Sequence, residues 1–358
     1  MTTRTFLLDR GERPDEALLA QADELMGRAP NAHFTQHPGW LSLVPPEDAR
    51  ARPVFMVGTQ DGRAAWCAAI RLRRLPVLGQ SLADLFRGPV AESPTALGSA
   101  LECLEQELAR FRPFAVRIDP YWDRSMAPGM ADELTRRGYR AMAEAPWHTR
   151  SLEIDIDRGA EELLESYKPA TRRQVRKALR MSTEVREDLD DAALERFDAL
   201  YRAMSDTKGA SARSLAWLRG IRDFFRAWPH RGFFLSSWDA GELLGAISVF
   251  TLGRRAIYAY GASSLSRPEI PKSHLLHFEA MQRARARGCL VYDMGGFAMG
   301  VGDEESRTPT QKINYFKSGF GGHEVDFVSG HERIVRPVSY GLARRLESLW
   351  RRARRSAA

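Results

Sequence analysis

Twice along this 358-residue chain, two strands joined by a tight polar turn are followed by an amphipathic helix and then by another short strand. In the first half, Val54 to Gly58 and Ala64 to Leu72 flank the turn Gln60-Asp61-Gly62-Arg63. A helix follows from about Leu97 to Phe111, and Ala115 to Asp119 reads as a short buried strand stopped by Pro120. In the second half, Gly232 to Trp238 and Leu243 to Leu252 flank Asp239-Ala240-Gly241-Glu242, and Arg255 to Tyr260 adds a strand. Pro271 to Arg287 then gives a helix with Leu275, Leu276, Phe278 and Met281 in its apolar set, ended by Gly288 and followed by a strand at Leu290 to Asp293. Strands that alternate with helices bury their apolar faces by layering helices on a sheet. The expected fold is therefore α/β (α+β), a duplicated unit with mixed sheets. The expected bounds are a first domain over 1–150, a second over 151–335 and a basic C-terminal helix over 336–358.

With 44% hydrophobic residues the chain can bury a large core, and no run reaches the eighteen or so apolar residues of a membrane span. The N-terminus, with Arg4, Asp9 and Arg10 around Phe6-Leu7-Leu8, lacks the apolar centre of a signal peptide, so a cytoplasmic location is expected. Cys67, Cys103 and Cys289 are far apart and form no CxxC pair, which excludes a disulfide framework or a thiolate zinc site. His274-x-x-His277 has no third ligand at metal-site spacing, so neither a metal nor a cofactor is expected. The net charge of +7 fits a phosphate-rich partner, whether tRNA, a nucleotide-linked substrate or an anionic membrane surface. DNA is not expected as a partner.

Chemistry concentrates between Val291 and Gly322. Tyr292-Asp293-Met294-Gly295-Gly296 ends a strand in open backbone, and Phe316-Lys317-Ser318-Gly319-Phe320 sets a cation among aromatic and glycine residues. The pair suits an acyl or phosphate oxygen. Separately, Gly-Gly also makes an ordinary turn, Phe-Lys-x-Gly-Phe also fits a strand with its lysine in water, and an aspartate before Gly-Gly also caps its own turn. Tyr258 and Tyr260 alternate around Ala259, which places both on one sheet face. Between the halves, Lys168 to Arg180 is strongly basic. A helix capped by Thr171 would align Arg172, Arg176 and Arg180 on one face, where like charges repel unless an anion compensates. In the tail, Leu342, Leu346, Leu349 and Trp350 share a helical face among many arginines. Three readings of it stay open: docking on the core, peripheral contact with an anionic membrane at its inner face, or contact with RNA.

These residues in this order resemble the Fem family (FemABX-like) of aminoacyl-tRNA-dependent peptidyltransferases. The likeness runs through Phe34-x-Gln36-x-x-x-Trp40, Arg87-Gly88-Pro89, Arg117-Ile118-Asp119-Pro120, the basic helix and Tyr258-x-Tyr260-Gly261-x-Ser263-Ser264. It continues through Tyr292-Asp293-x-Gly295-Gly296 and Phe316-Lys317-x-Gly319-Phe320-Gly321. The resemblance implies two tandem domains of the GCN5-related N-acetyltransferase (GNAT) fold. It also implies attack by a small or peptide-like amine on the ester of an aminoacyl-tRNA. It would place Lys317 near the reacting acyl group or the terminal tRNA phosphates, and Arg172, Arg173 and Tyr260 in the acceptor pocket; Phe316, and Asp293 as a possible proton acceptor, complete the candidate catalytic set. Arg176, Tyr258, Trp40, Gly295 and Gly296 complete the expected substrate contacts. An activated ester needs no covalent nucleophile, only an aligned neutral amine and a stabilised oxyanion. One departure is plain: cell-wall members place a lysine shortly after the early tryptophan, whereas Trp40 is followed by Leu41-Ser42-Leu43-Val44.

Two rivals stand beside this reading. An acyl-CoA-dependent N-acyltransferase of the same fold would cradle pyrophosphate with a Gln/Arg-x-x-Gly-x-Gly/Ala loop. Gln36-x-x-Gly39 and Arg285-x-x-Gly288 are each followed two residues later by leucine instead. A non-catalytic basic RNA- or membrane-binding protein would need only the 168–180 helix and the tail.

Overall fold

The computed structural model describes residues 1–44, 51–75, 79–144, 147–187, 189–208, 213–297 and 309–356. The chain divides into two compact units. One comprises Met1–Ser42, Pro46–Thr149 and Phe327–Ala358; the other comprises Leu43–Pro45 and Arg150–Asp326.

The first unit begins with β1 (Thr2–Leu7), β2 (Ala51–Gln60), β3 (Arg63–Leu75), β4 (Gln80–Phe86), β5 (Val90–Ala91), β6 (Pro113–Asp119) and β7 (Arg140–Ala141). Its helices are α1 (Glu16–Arg28), α2 (Pro38–Leu43), α3 (Pro94–Leu108) and α4 (Met130–Arg136). The second holds β8 (Arg150–Asp155), β9 (Glu184–Glu187), β10 (Gly232–Asp239), β11 (Glu242–Leu252), β12 (Arg255–Ser263), β13 (Val291–Gly296) and β14 (His323–Asp326). Its helices are α5 (Ala160–Ser166), α6 (Pro169–Leu179), α7 (Asp191–Lys208), α8 (Leu215–Ala227), α9 (Lys272–Ala286) and α10 (Pro309–Ser318). The chain ends with β15 (His331–Ile334) and α11 (Pro337–Ser356).

Seven strands of the two sheets follow the same plan, in the orders β1-β2-β3-β4-β6-β15-β7 and β9-β10-β11-β12-β13-β8-β14, and the first sheet adds β5 beside β3. Both leading hairpins turn on two residues of positive φ, Asp61-Gly62 and Ala240-Gly241, as a type I′ turn requires. Both carry a register shift two residues before the turn, at Gly58/Thr59 and Ser237/Trp238. In each sheet the fourth and fifth strands run parallel (β4 with β6, β12 with β13). Antiparallel neighbours need only a turn, whereas a parallel pair needs a crossover helix, and α3 and α9 supply it. Ser93 caps α3 by accepting from Ala96 N at 3.1 Å, and Pro94 opens it. Gly288, at φ +84°, ends α9 in the left-handed conformation that glycine adopts without strain. The first core packs Val54, Met56 and Ile70 against Leu97, Leu101 and Leu104, and the second packs Ile154, Val249 and Tyr292 against Leu276 and Met281.

One strand of the first sheet, β15, comes from beyond the second unit. β8 follows β7 in sequence yet pairs with β13, whereas β15 follows β14 yet pairs with β6. The segment up to residue 335 therefore does not all stay with the second unit, as the sequence reading had it. A four-residue strand such as His331-Glu-Arg-Ile carries no mark of its partner, and long-range pairing settles the matter. The tail also docks otherwise than expected. Tyr340 and Ala343 pack on Leu82, Phe114 and Ala115, while Leu342 and Leu346 stay exposed. Leu349, Trp350 and the terminal arginines have side chains outside those described.

Candidate active site

β13 ends where the sequence placed open backbone. Asp293 is buried, and its Oδ1 accepts from the Gly295 N–H at 2.7 Å and from the Ser151 hydroxyl of β8. Gly295 takes φ +72°, which turns the strand end outward. Asp293 thus holds this turn, one of the two roles the sequence left open for it.

Lys317 lies in the last turn of α10, on a helix and not on the strand that Phe-Lys-x-Gly-Phe also fitted. It is 8% exposed and donates from Nζ to Gly296 O at 2.7 Å. Burial pulls its ammonium down from 10.5 to about 8, against the opposing pull of Asp293. Phe316 and Phe320, with ring centroids 5.3 Å apart, form an aromatic wall with His274 and His277 of α9. His277 Nδ1 lies 3.0 Å from the Tyr292 hydroxyl, and burial holds its pKa at about 3, with Lys317 and His274 adding to the effect. Burial likewise holds His274 at about 4. Both rings are neutral near physiological pH, so Lys317 is the cation of this cluster.

The two histidines were set aside in the sequence as an incomplete metal pair. Their i, i+3 spacing on α9 was the signal available for a shared face toward Lys317. Among the described residues, no group of three or more His, Cys, Asp or Glu is placed to hold a metal ion.

The tyrosines separate. Ser248 pairs with Tyr260 but Val249 pairs with Tyr258, so Ala259 is an extra residue in β12. Adjacent residues of β11 point to opposite faces, and their partners follow them. Tyr258 meets His277 at 4.7 Å between centroids, whereas Tyr260 meets Trp217 of α8 at 6.2 Å. The shared face expected from alternation is thus broken by a bulge. Burial raises the Tyr258 hydroxyl to about 12, so it is a neutral hydrogen-bonding group.

The basic helix α6 is tied to the Lys317 turn. Lys168 N donates to Gly319 O at 2.9 Å, and Lys168 Nζ donates to Ser318 Oγ at 3.2 Å. α6 starts at Pro169 with Lys168 as its N-cap residue, so Thr171 is an interior, buried residue and not the cap. Proline favours the first helical position because its φ is preset and it has no N–H to leave unpaired. Thr171 instead packs beside Gly319, where an added Cβ would lie 2.1 Å from its Oγ1. Arg172 and Arg176 both bond Glu165 of α5, Arg176 at 2.9 Å, so the chain supplies the anion that their spacing demanded. Arg173, Lys177 and Arg180 are exposed and have no ion pair among the described residues. Trp40 belongs to the first unit and is buried against Phe34 at 4.8 Å, a packing role. Gln36, from the same motif, bonds Ala69 N and Ala69 O on β3 and Phe86 O on β4.

Residues 166–308 match the family described as Acetyltransferase (GNAT) domain. The UDP-N-acetylmuramoylpentapeptide-lysine N(6)-alanyltransferase of Weissella viridescens is 23% identical to this chain, over 91% of it and 96% of that protein. A lipid II:glycine glycyltransferase of Staphylococcus epidermidis is 20% identical, over 77% of this chain and 82% of that protein. The crystal structure of FemX superposes with a TM-score of 0.81 at 17% identity, covering 96% of this chain and 99% of that one. A tandem GNAT protein from the clavulanic acid biosynthesis pathway gives a TM-score of 0.51 at 15% identity, over 92% and 98% of the two chains. The duplicated sheets, each with one parallel strand pair, and these likenesses agree: the chain is a FemABX-like protein of tandem GNAT-type architecture.

Proposed function

We propose that the protein is an aminoacyltransferase that joins an amino acid, delivered as the ester of an aminoacyl-tRNA, to an amine on a peptide-like acceptor. The observation that carries this reading is the buried ammonium of Lys317 fixed at the open end of β13. The names of the two relatives, an alanyltransferase and a glycyltransferase, support amino-acid transfer to a peptidoglycan-precursor type of acceptor. In the proposed step the neutral amine attacks the ester carbonyl, the C–N bond forms, and negative charge gathers on the carbonyl oxygen. Lys317 stabilises that oxyanion from a desolvated position, where a charge interaction is strongest. The C–O bond to the ribose then breaks, and the proton lost by the amine ends on the leaving ribose oxygen. A lysine titrating at about 8 is charged near neutrality yet close enough to ambient pH to take part in that transfer. Asp293 sets the Gly295–Gly296 turn to which Lys317 is anchored, and Phe316 with the two histidines keeps water out.

Since Arg172 and Arg176 are engaged by Glu165, the exposed Arg173, Lys177 and Arg180 are the cations we assign to substrate phosphates. No helix among the described residues is long and apolar enough to cross a membrane. A lipid-linked acceptor would therefore meet these residues from a membrane surface.

The test is transfer of a labelled amino acid from mixed charged tRNAs to candidate amines, with Lys317→Met beside the wild type. Loss of one oxyanion donor is expected to lower kcat by about 10²–10³. The GNAT family match favours a second reading, an acyl-CoA donor on the same site. Turnover with acetyl-CoA and none with charged tRNA would replace the first reading by the second.

A further inference from the structure

A cavity of about 290 Å³ opens on the first unit, lined by Arg52, Arg74, Ser81, Arg110, Phe111 and Arg112 among others. Its position follows from register. Arg52 pairs with Leu72 and Arg74 pairs with Ser81, and Leu72 and Arg74 are two residues apart on β3. All four side chains therefore share one face of the sheet. Leu72 packs there with Leu97, Leu101 and Leu108, so this is the face that α3 covers. α3 ends at Leu108, and the 3-10 turn Ala109–Phe111 brings Arg110 and Arg112 to the uncovered remainder.

The charge of this cavity is not balanced. Arg52 bonds Asp9 at 2.7 Å and Arg110 lies 3.3 Å from Glu107, whereas Arg74 and Arg112 have no ion pair among the described residues. Two of the four cations thus have no carboxylate partner among the described residues. Ser81, 4% exposed, lines the cavity beside them. Arg112 also sits at φ 50°, ψ 56°, a left-handed conformation natural to glycine and strained for arginine. This conformation closes the 3-10 turn, with the Arg112 N–H donating to Ala109 O at 3.0 Å, and sets the exposed Arg112 side chain at the rim of the cavity.

We propose that this cavity binds the phosphate group of a small phosphorylated molecule. A phosphate dianion matches the guanidinium groups of Arg74 and Arg112 in charge and in fork geometry, and the Ser81 hydroxyl offers it a third donor. Arg110 is stacked on the Phe111 ring at 4.9 Å, which fixes a further cation at the rim. The volume lies at the small end of the roughly 300–1,000 Å³ of ligand sites, which suits a phosphate with a short organic part. These residues are all in the first unit, whereas Lys317 belongs to the second.

The experiment is isothermal titration calorimetry of the full chain, at about 0.15 M ionic strength, with inorganic phosphate, pyrophosphate and glycerol phosphate. One site per chain is expected, weakened at least about tenfold in Arg74→Ala and in Arg112→Gly. Arg112→Gly removes the guanidinium while supplying the residue that this backbone favours, so its Tm is expected to hold or rise. Glycerol phosphate binding more tightly than inorganic phosphate identifies an organic ligand, and equal affinity identifies the bare anion; both support the site. Lys317→Met, a change in the other unit, is expected to leave the affinity unaltered, which separates this site from aminoacyl transfer. Absence of binding, equal affinity in wild type and both arginine variants, or binding to RNA or anionic vesicles with none to the small phosphates would overturn the proposal.

Discussion

Lys317 titrates at about 8 in the folded chain and at 10.5 when unfolded, so between these values the unfolded chain holds the extra proton. Stability therefore rises as pH rises from about 8 to 10.5, and below 8 the burial penalty is fully present at about 3 kcal/mol. Urea unfolding across that range should show this rise in wild type and lose it in Lys317→Met; equal slopes in the two proteins would refute the buried-ammonium assignment. The histidines act at the other end of the scale. His274 and His277 hold pKa values of about 4 and 3 against an ordinary 6.5, so the unfolded chain binds more protons below 6.5. Stability should fall with acid by roughly 1.4 kcal/mol per pH unit per histidine. The measurement is the unfolding free energy of His277→Gln between pH about 6.5 and 4, where the variant should show about half the wild-type slope. Lys317 was legible as a candidate because a cation among Phe and Gly residues stands out in a sequence. Its burial, and the neutral histidines beside it, depend on α9 and α10 packing together and were not legible.

Helix α6 and the last turn of α10 meet at a glycine. At a position whose backbone alanine can adopt, exchanging glycine for alanine ordinarily stabilises by about 0.4–1 kcal/mol. At Gly319 the added Cβ would stand 2.1 Å from Thr171 Oγ1 and 3.0 Å from Phe316 O. Overpacking of that kind costs about 1–3 kcal/mol, so the clash outweighs the propensity. Gly319→Ala is expected to be destabilised, and Thr171→Ala in the same chain should recover part of the loss in a double-mutant cycle. A purely additive result would mean that the two helices do not meet in this way. On the neighbouring helix α5, Glu165→Gln should cost less than about 1 kcal/mol, because its pairs with Arg172 and Arg176 are solvent-exposed. Sequence spacing gave the arginine face correctly but could not show the neighbour that neutralises it. Spacing misled at Tyr258 and Tyr260, since a single bulge at Ala259 changes which face the next residue takes.

Across the whole molecule, the first unit completes its sheet with β15, a strand that follows the second unit in sequence, whereas every strand of the second sheet lies within Arg150–Asp326. Removing residues after Asp326 should therefore unpair β6 and β7 of the first unit, although the deleted segment is adjacent in sequence to the second. The expected outcome is loss of several kcal/mol and of cooperative unfolding in the first unit. Hydrogen exchange read at β4 and β6 checks this, and unchanged protection there would contradict the strand assignment. The sequence by itself determined the duplicated hairpin–helix–strand plan, because turns, amphipathic helices and short apolar strands are written in local periodicity and in Gly, Pro and Asp punctuation. It also singled out the Gly295–Gly296 and Lys317 neighbourhood. Only the tertiary structure decided the return of β15 to the first sheet, the opposite faces of the two tyrosines, the buried charge of Lys317 and the arginine cavity of the first unit. Each of these depends on which distant segments pair and on what they exclude from water, and neither is encoded in any short window of the chain.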